Sequence, residues 1–175
     1  MIIGVTGKSG SGKSTYARKI SKENGFRVVH IDKIAHGIIN LPAFKAKFID
    51  IFGDEVIQNG VVDRKYLGDL VFTNRHLYKE LSNLIWDMMK HRIDDIISTH
   101  ENVILDWILL PHTHYWKMCD KKILMVADEE DRKKRVIARD NISLEYLNKR
   151  DSAGINYDDV EFNQIIYTTK ENKYV

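Results

Sequence analysis

The chain has 175 residues, which is enough for one domain with small insertions and too few for two full domains. Its 27 Lys and Arg residues nearly balance 25 Asp and Glu residues, and 43% of all residues are hydrophobic, so disorder and a broad basic surface for nucleic acid are both disfavoured. The single cysteine, Cys119, can form no internal disulfide, and no apolar run approaches the ~20 residues of a membrane span, so we expect a cytoplasmic protein without a membrane partner.

Short apolar runs alternate with longer amphipathic segments from the N-terminus onward. An apolar run over residues 1–6 is followed by a helical pattern over residues 13–23 and a second apolar run over residues 26–30. This alternation predicts an α/β fold, a parallel sheet with helices on both faces. Later runs have the length and composition of buried strands and bring the sheet to about five: residues 102–106, 122–127 and 164–168.

The long segment between the second and third predicted strands has helical rather than alternating periodicity. Its apolar residues follow a three–four spacing from Leu77 to Ile97, Asn59-Gly60 predicts a turn, and Asp63 is suited to cap a helix. A crossover between parallel strands needs only about a dozen residues. We therefore predict an inserted helical region over residues 41–99, whose apolar stripe serves either as core or as a cover for a bound molecule.

The strongest motif follows the first predicted strand directly and precedes the first predicted helix. It is Gly7-Lys8-Ser9-Gly10-Ser11-Gly12-Lys13-Ser14, a full match to G-x-x-x-x-G-K-[ST], the P-loop. Its glycines let backbone N–H groups surround phosphate oxygens, and the helix N-terminus adds further donors. Lys13 would reach the β- and γ-phosphates of ATP, and the Ser14 hydroxyl would bind Mg²⁺. The predicted nucleotide contacts are Gly10, Ser11, Gly12, Lys13, Ser14 and Thr15.

The remainder of the chain narrows the class of phosphate-binding protein. At 175 residues the chain leaves little room for motor or oligomeric ATPase machinery. This observation favours a kinase for a small-molecule substrate, which needs a carboxylate at the acceptor, a lid with arginines and a pocket for the acceptor.

Two aspartates follow or end predicted strands, where ligands of open parallel sheets bind. Asp32 comes just after the second strand and would take the proton of an acceptor hydroxyl, or else serve as a helix N-cap. Asp106 ends the third strand and would hold Mg²⁺ through water, or else act as a capping or structural acid.

A run of acids at residues 128–131 favours a helix N-terminus, and the basic residues that follow place Arg132, Arg135 and Arg139 on one helical face. A solvated, salt-bridged face is the ordinary explanation for such a run. With a phosphate to bind, the face predicts a small helical lid over residues 129–152. Arg139, beside a predicted helix break at residues 140–143, is its expected catalytic arginine.

Taken together, the motifs resemble the dephospho-coenzyme A kinase family over residues 2–168. The matching pieces are Ile3-Gly4-Val5-Thr6-Gly7, Val28-Val29-His30-Ile31-Asp32, Ala35-His36, Phe52-Gly53, Gly60, Asp63-Arg64, Leu67, Val71-Phe72, Leu105-Asp106, Leu109-Leu110, Arg135-Val136, Ala138-Arg139-Asp140 and Ser143. Their spacing is more particular than the P-loop alone. Where the family has His-Pro in its long helix this chain has Trp86-Asp87, and Thr168 stands in the place of an asparagine that helps hold adenine.

The resemblance implies transfer of the ATP γ-phosphoryl group to the 3′-hydroxyl of dephospho-coenzyme A, the last step of coenzyme A synthesis. It implies one P-loop kinase domain over residues 1–175, with Asp32 as catalytic aspartate, Arg139 as lid arginine and residues 41–99 as the acceptor region. Two alternatives stay open: a nucleoside or nucleotide kinase, and a nucleotide-binding module without turnover.

Overall fold

The computed structural model describes residues 1–152 and 156–168. Its helices and strands are, in chain order, β1 (Ile2–Thr6), α1 (Lys13–Asn24), β2 (Arg27–His30), α2 (Ile31–Ile39), α3 (Pro42–Phe52), β3 (Ile57–Gln58), β4 (Val61–Val62), α4 (Arg64–Thr73), α5 (Arg75–Thr99), β5 (Val103–Asp106), α6 (His114–Met118), β6 (Lys121–Ala127), α7 (Glu129–Asp140), α8 (Leu144–Ser152) and β7 (Gln164–Thr168). By its internal contacts the chain forms two compact units: one combines residues 1–30 with the chain from His100 onward, and the other is Ile31–Thr99.

The first unit contains a five-stranded parallel sheet in the order β2-β5-β1-β6-β7. The predicted fold class is confirmed, and each predicted strand is present to within one residue. Strands covered on both faces appear in a sequence as continuous apolar runs, which is why these segments were recognisable. The core between sheet and helices includes Ile3, Val5, Ile104, Met125 and Ile166.

In the first unit, the starts of helices α1 and α7 and the break between α7 and α8 agree with the sequence pattern. Helix α1 begins directly after Gly12, and helix α7 begins after Asp128, whose carboxylate accepts from the backbone N–H groups of Glu130 and Asp131. Helix α7 ends at Asp140 and α8 starts at Leu144, so the predicted break between two helices is present.

The second unit is mainly helical. Asp63 caps α4 by accepting from the backbone N–H groups of Lys65 and Tyr66, as predicted, and α2 packs against α5. The Asn59-Gly60 turn is also present, with φ angles of 51° and 75°, and it closes an antiparallel hairpin of β3 and β4. The helical periodicity gave no sign of this hairpin, because each of its strands has only two residues.

Across residues 1–152 and 156–168, no helix combines the length and the apolar character that crossing a membrane requires.

Candidate active site

The P-loop joins β1 to α1 and lies against two other elements of the first unit. A Cβ atom added at Gly7 would approach the backbone oxygen of Met125 to 2.3 Å. At Gly10, where φ is +81°, an added Cβ would lie 2.7 Å from Val136 Cγ2 and 2.8 Å from the backbone oxygen of Arg132. A side chain at Gly7 would overlap β6, and one at Gly10 would overlap α7. Both positions therefore require glycine.

Lys13 and Ser14 form the first turn of α1, at the positive end of the helix dipole. The Nζ atom of Lys13 donates to the backbone oxygen of Lys8 at 3.1 Å, and the Ser14 hydroxyl donates to Asp106 Oδ2 at 2.6 Å. Thr15 lies on the exposed surface of the same turn. The predicted phosphate and magnesium residues are therefore brought together by the loop and by the end of β5.

Asp106 is 4% exposed and receives two hydrogen bonds on the same oxygen, Oδ2. One comes from Ser14, and the other from His30 Nδ1 at 2.8 Å. Mg²⁺ prefers hard oxygen ligands such as a hydroxyl and a carboxylate, so Ser14 and Asp106 fit this ion as a pair. His30 was missed by the sequence reasoning; its position at the end of a predicted strand was the available signal.

All three arginines of the predicted face on α7 donate to the P-loop. Arg132 Nη1 contacts the backbone oxygen of Ser9 at 3.1 Å, Arg135 Nη1 contacts that of Gly10 at 3.3 Å, and Arg139 Nη2 contacts Ser9 Oγ at 3.2 Å. The prediction that they share a face is confirmed. The solvated alternative is wrong for Arg132, whose side chain is only 1% exposed.

Arg132 and Arg139 differ in their surroundings. The Arg132 guanidinium forms ion pairs with Glu129, at 2.6 Å, and with Asp151. Arg139 is 61% exposed and pairs with its neighbour Asp140 at 2.6 Å. The hydrogen bond from Arg139 is the main cause that lowers the pKa of Asp140.

Lys8 and Glu129 form a second link between the P-loop and α7 that the sequence reasoning missed. Lys8 Nζ lies 2.7 Å from Glu129 Oε1, while Arg132 occupies Glu129 Oε2. The hydrogen bond from Arg132, followed by that from Lys8, lowers the pKa of Glu129 from 4.5 to about 2, against the opposing effect of burial.

Two residues near the end of the described chain also contact the loop region. Tyr157 donates its hydroxyl to the backbone oxygen of Ile108 at 3.2 Å and lies 3.3 Å from Thr6 Oγ1; burial raises the pKa of this tyrosine. Thr168, at the place of the adenine-binding asparagine in the resemblance, is 8% exposed. Its hydroxyl lies 3.3 Å from the backbone oxygen of Ser11, so it packs against the P-loop.

Asp32 belongs to the other compact unit, Ile31–Thr99. It is the second residue of α2, which starts at Ile31 directly after β2, so it lies inside the first helical turn rather than before the helix as an N-cap. The pKa of His36 is lowered by burial and by Arg64, while Asp32 opposes this shift. Asp32, His36 and Arg64 therefore interact electrostatically within this unit.

Comparisons with known proteins cover most of the chain. A sequence model of dephospho-CoA kinases matches residues 1–161. The chain is 34% identical over 152 residues to the dephospho-CoA kinase of Fusobacterium nucleatum. This alignment covers 85% of this chain and 78% of that protein. It is 33% identical over 163 residues to the dephospho-CoA kinase of Staphylococcus aureus. That alignment covers 90% of this chain and 78% of the relative.

Solved structures give the same result. A protein of Thermus thermophilus superposes with a TM-score of 0.81, at 26% identity, over 97% of this chain and 88% of the other. The dephospho-CoA kinase of Campylobacter jejuni superposes with a TM-score of 0.63, at the same identity and coverage. The predicted resemblance and the predicted class of ATP-dependent kinases are confirmed, and the chain belongs to the dephospho-CoA kinase family.

Proposed function

We propose that this chain transfers the γ-phosphoryl group of ATP to the ribose 3′-hydroxyl of dephospho-coenzyme A, the last step of coenzyme A synthesis. The observation that carries the proposal is the convergence of a P-loop, the Ser14–Asp106 pair and the α7 arginines within one unit. These groups are suited to binding a triphosphate and to stabilising its negative charge. Membership of the dephospho-CoA kinase family indicates dephospho-coenzyme A as the acceptor.

In this proposal, the backbone of Gly10, Ser11 and Gly12 surrounds the phosphates and Thr15 contacts the α-phosphate. Lys13 binds the β- and γ-phosphates, exchanging its hydrogen bond to the Lys8 carbonyl for phosphate oxygens. Ser14 and Asp106 hold Mg²⁺, which neutralises charge on the β- and γ-phosphates when it is bound. The binding energy of the loop thus fixes the γ-phosphorus for attack.

Asp32 is proposed to act on the acceptor. The 3′-hydroxyl oxygen attacks the γ-phosphorus, the bond to the β–γ bridging oxygen breaks, ADP leaves, and the hydroxyl proton passes to the Asp32 carboxylate. Arg139, exposed at the end of α7, stabilises the negative charge of the transferring group. Residues 129–152 act as the lid, and residues 41–99 bind the acceptor.

The same proposal places the reaction in the reducing cytosol, where ATP is available and a protein with the single cysteine Cys119 needs no disulfide.

An acceptor screen tests the proposal. ADP release is measured with Mg²⁺ and ATP in the presence of dephospho-coenzyme A, nucleosides and nucleotides. We expect turnover with dephospho-coenzyme A. Turnover with deoxynucleosides or nucleotides alone would favour a nucleoside or nucleotide kinase, and no transfer to any acceptor would favour a binding module.

Asp32→Asn tests the role of the carboxylate. Transfer should fall by about 10² to 10⁴, the usual contribution of a general base, while ATP affinity should be retained. The matched control is Asp159→Asn, an exposed aspartate outside the proposed site, which should change neither quantity. A parallel loss of ATP affinity in Asp32→Asn would contradict a role confined to the acceptor.

A further inference from the structure

His30 contacts the carboxylate that the proposed function assigns to magnesium. It is the last residue of β2, and its register partner on the neighbouring parallel strand is Asp106, the last residue of β5. Its Nδ1 atom lies 2.8 Å from Asp106 Oδ2, and its side chain is 21% exposed. The contact is therefore set by strand register, at the carboxyl end of the sheet where the P-loop begins.

The direction of this hydrogen bond follows from the chemistry of the acceptor. An ionised carboxylate can only accept, so the contact requires the proton on Nδ1. Ser14 donates to the same oxygen at 2.6 Å. Neither of these two hydrogen bonds uses Oδ1, so the carboxylate is held by one oxygen and keeps the other for a further partner.

Both donors restrict rotation of the Asp106 carboxylate, but only Ser14 is also a proposed metal ligand. The Ser14 hydroxyl is also the proposed direct ligand of the metal, so its hydrogen bond changes surroundings when the ion enters. His30 is not assigned as a metal ligand in the proposed function. It is the donor that can hold Asp106 in one orientation both before and after the ion binds.

We propose that His30 is a positioning residue of the magnesium site, whose Nδ1–H holds Asp106 Oδ2 and thereby presents Oδ1 to water bound by the metal. This inference rests on the proposed function, which assigns Ser14 and Asp106 to Mg²⁺.

The experiment measures how strongly the metal enhances nucleotide binding. The affinity of the protein for ADP is determined by calorimetry with and without Mn²⁺, a stand-in for Mg²⁺, and the ratio is the metal-linked gain. His30→Leu removes the donor, whereas His30→Asn places an amide N–H near the position of Nδ1. Arg27→Leu, at the exposed opposite end of β2, is the matched control.

We expect His30→Leu to reduce the metal-linked gain about 10-fold, the lower end of what loss of a residue supporting a metal ligand costs. Affinity for ADP without metal should change by less than about twofold, because the P-loop contacts stay in place. His30→Asn should recover the gain to within about threefold, and Arg27→Leu should keep it. The Mg²⁺ concentration for half-maximal turnover should rise in parallel in His30→Leu.

Three results would overturn the inference: an unchanged gain in His30→Leu, an equal loss in His30→Leu and His30→Asn, or an equal loss of affinity for metal-free ADP. Asp106→Asn separates this failure from that of the proposed function. If Asp106→Asn also keeps the gain, the magnesium assignment itself falls. If it loses the gain while His30→Leu keeps it, only the role of His30 falls. Should His30→Leu fail to fold, His30→Gln, whose donor lies too far out to replace Nδ1, takes its place.

Discussion

Replacing Glu129 with glutamine would remove a carboxylate that serves two cations. Glu129 Oε1 accepts from Lys8 at 2.7 Å, and Oε2 accepts from Arg132 Nη2 at 2.6 Å and Nε at 3.2 Å. Since Lys8 lies in the P-loop and Arg132 donates to the backbone of Ser9, this carboxylate fastens the start of α7 to the loop. The change Glu129→Gln keeps the size of the side chain and removes its charge.

The magnitude follows from the pKa of Glu129, which its partners lower from 4.5 to about 2. A drop of this size corresponds to about 3 kcal/mol of interaction in favour of the ionised form. The side chain is 51% exposed, however, and water screens such ion pairs, so we expect a loss of about 1 kcal/mol on substitution.

The pH dependence has a definite sign. Because the folded-state pKa lies below the unfolded value of 4.5, the ionised carboxylate stabilises the fold fully above pH 4.5, and this contribution is lost as the pH falls toward about 2. Urea unfolding should show Glu129→Gln to be less stable than the unmodified protein at pH 7, and the difference should shrink to less than half at pH 3.

A matched control tests whether this effect belongs to the network or to any acidic residue at the start of α7. Glu130 is 86% exposed and lies 3.9 Å from Lys134, so Glu130→Gln should cause no measurable loss. A loss for Glu129→Gln that is the same at pH 7 and pH 3, or that Glu130→Gln matches, would refute the reasoning.

Two further substitutions and one labelling experiment test the loop and the core. Lys13→Ala should weaken ATP binding and abolish turnover, and unchanged affinity in a binding titration would contradict a phosphate contact. Gly10→Ala should destabilise the protein by about 1 to 3 kcal/mol in urea unfolding, because its Cβ would overlap Val136 at 2.7 Å; Gly25→Ala, with a similar φ of +74° and open space, separates this overlap from backbone strain. Burial raises the pKa of Cys119 to about 12, so a thiol reagent at pH 8 should label it at least about 100-fold more slowly in buffer than in denaturant.

The parts of the site that the sequence predicted are those fixed by local spacing. A P-loop needs its glycines, lysine and serine within eight consecutive positions, and the arginine face needs only the three–four period of one helix. Asp63 could be recognised as a cap because the backbone N–H groups that donate to it belong to Lys65 and Tyr66, only two and three residues further along the chain. In each case the partners are close in sequence, so composition and period were sufficient.

The parts that the sequence did not predict depend on contacts between distant segments. His30 and Asp106 are 76 residues apart, and their pairing requires both the strand order and the register of β2 on β5. Asp151 reaches Arg132 from beyond a helix break. A charge run therefore looked solvated in the sequence although its first arginine is buried, since the neutralising acid lies on another helix.

The three arginines of α7 show why a shared face does not give a shared role. Arg132 is 1% exposed and faces two carboxylates, so its charge is neutralised internally and its guanidinium is committed to the P-loop backbone. Arg139 is 61% exposed, and its partner Asp140 also faces Arg150, so this group of three retains a net positive charge at the surface. A transferring phosphoryl group needs a cation that can leave its partner and approach a new anion. In the proposed function this requirement is assigned to the exposed Arg139 at the outer end of the helix, whereas the buried Arg132 at the inner end holds the helix to the P-loop.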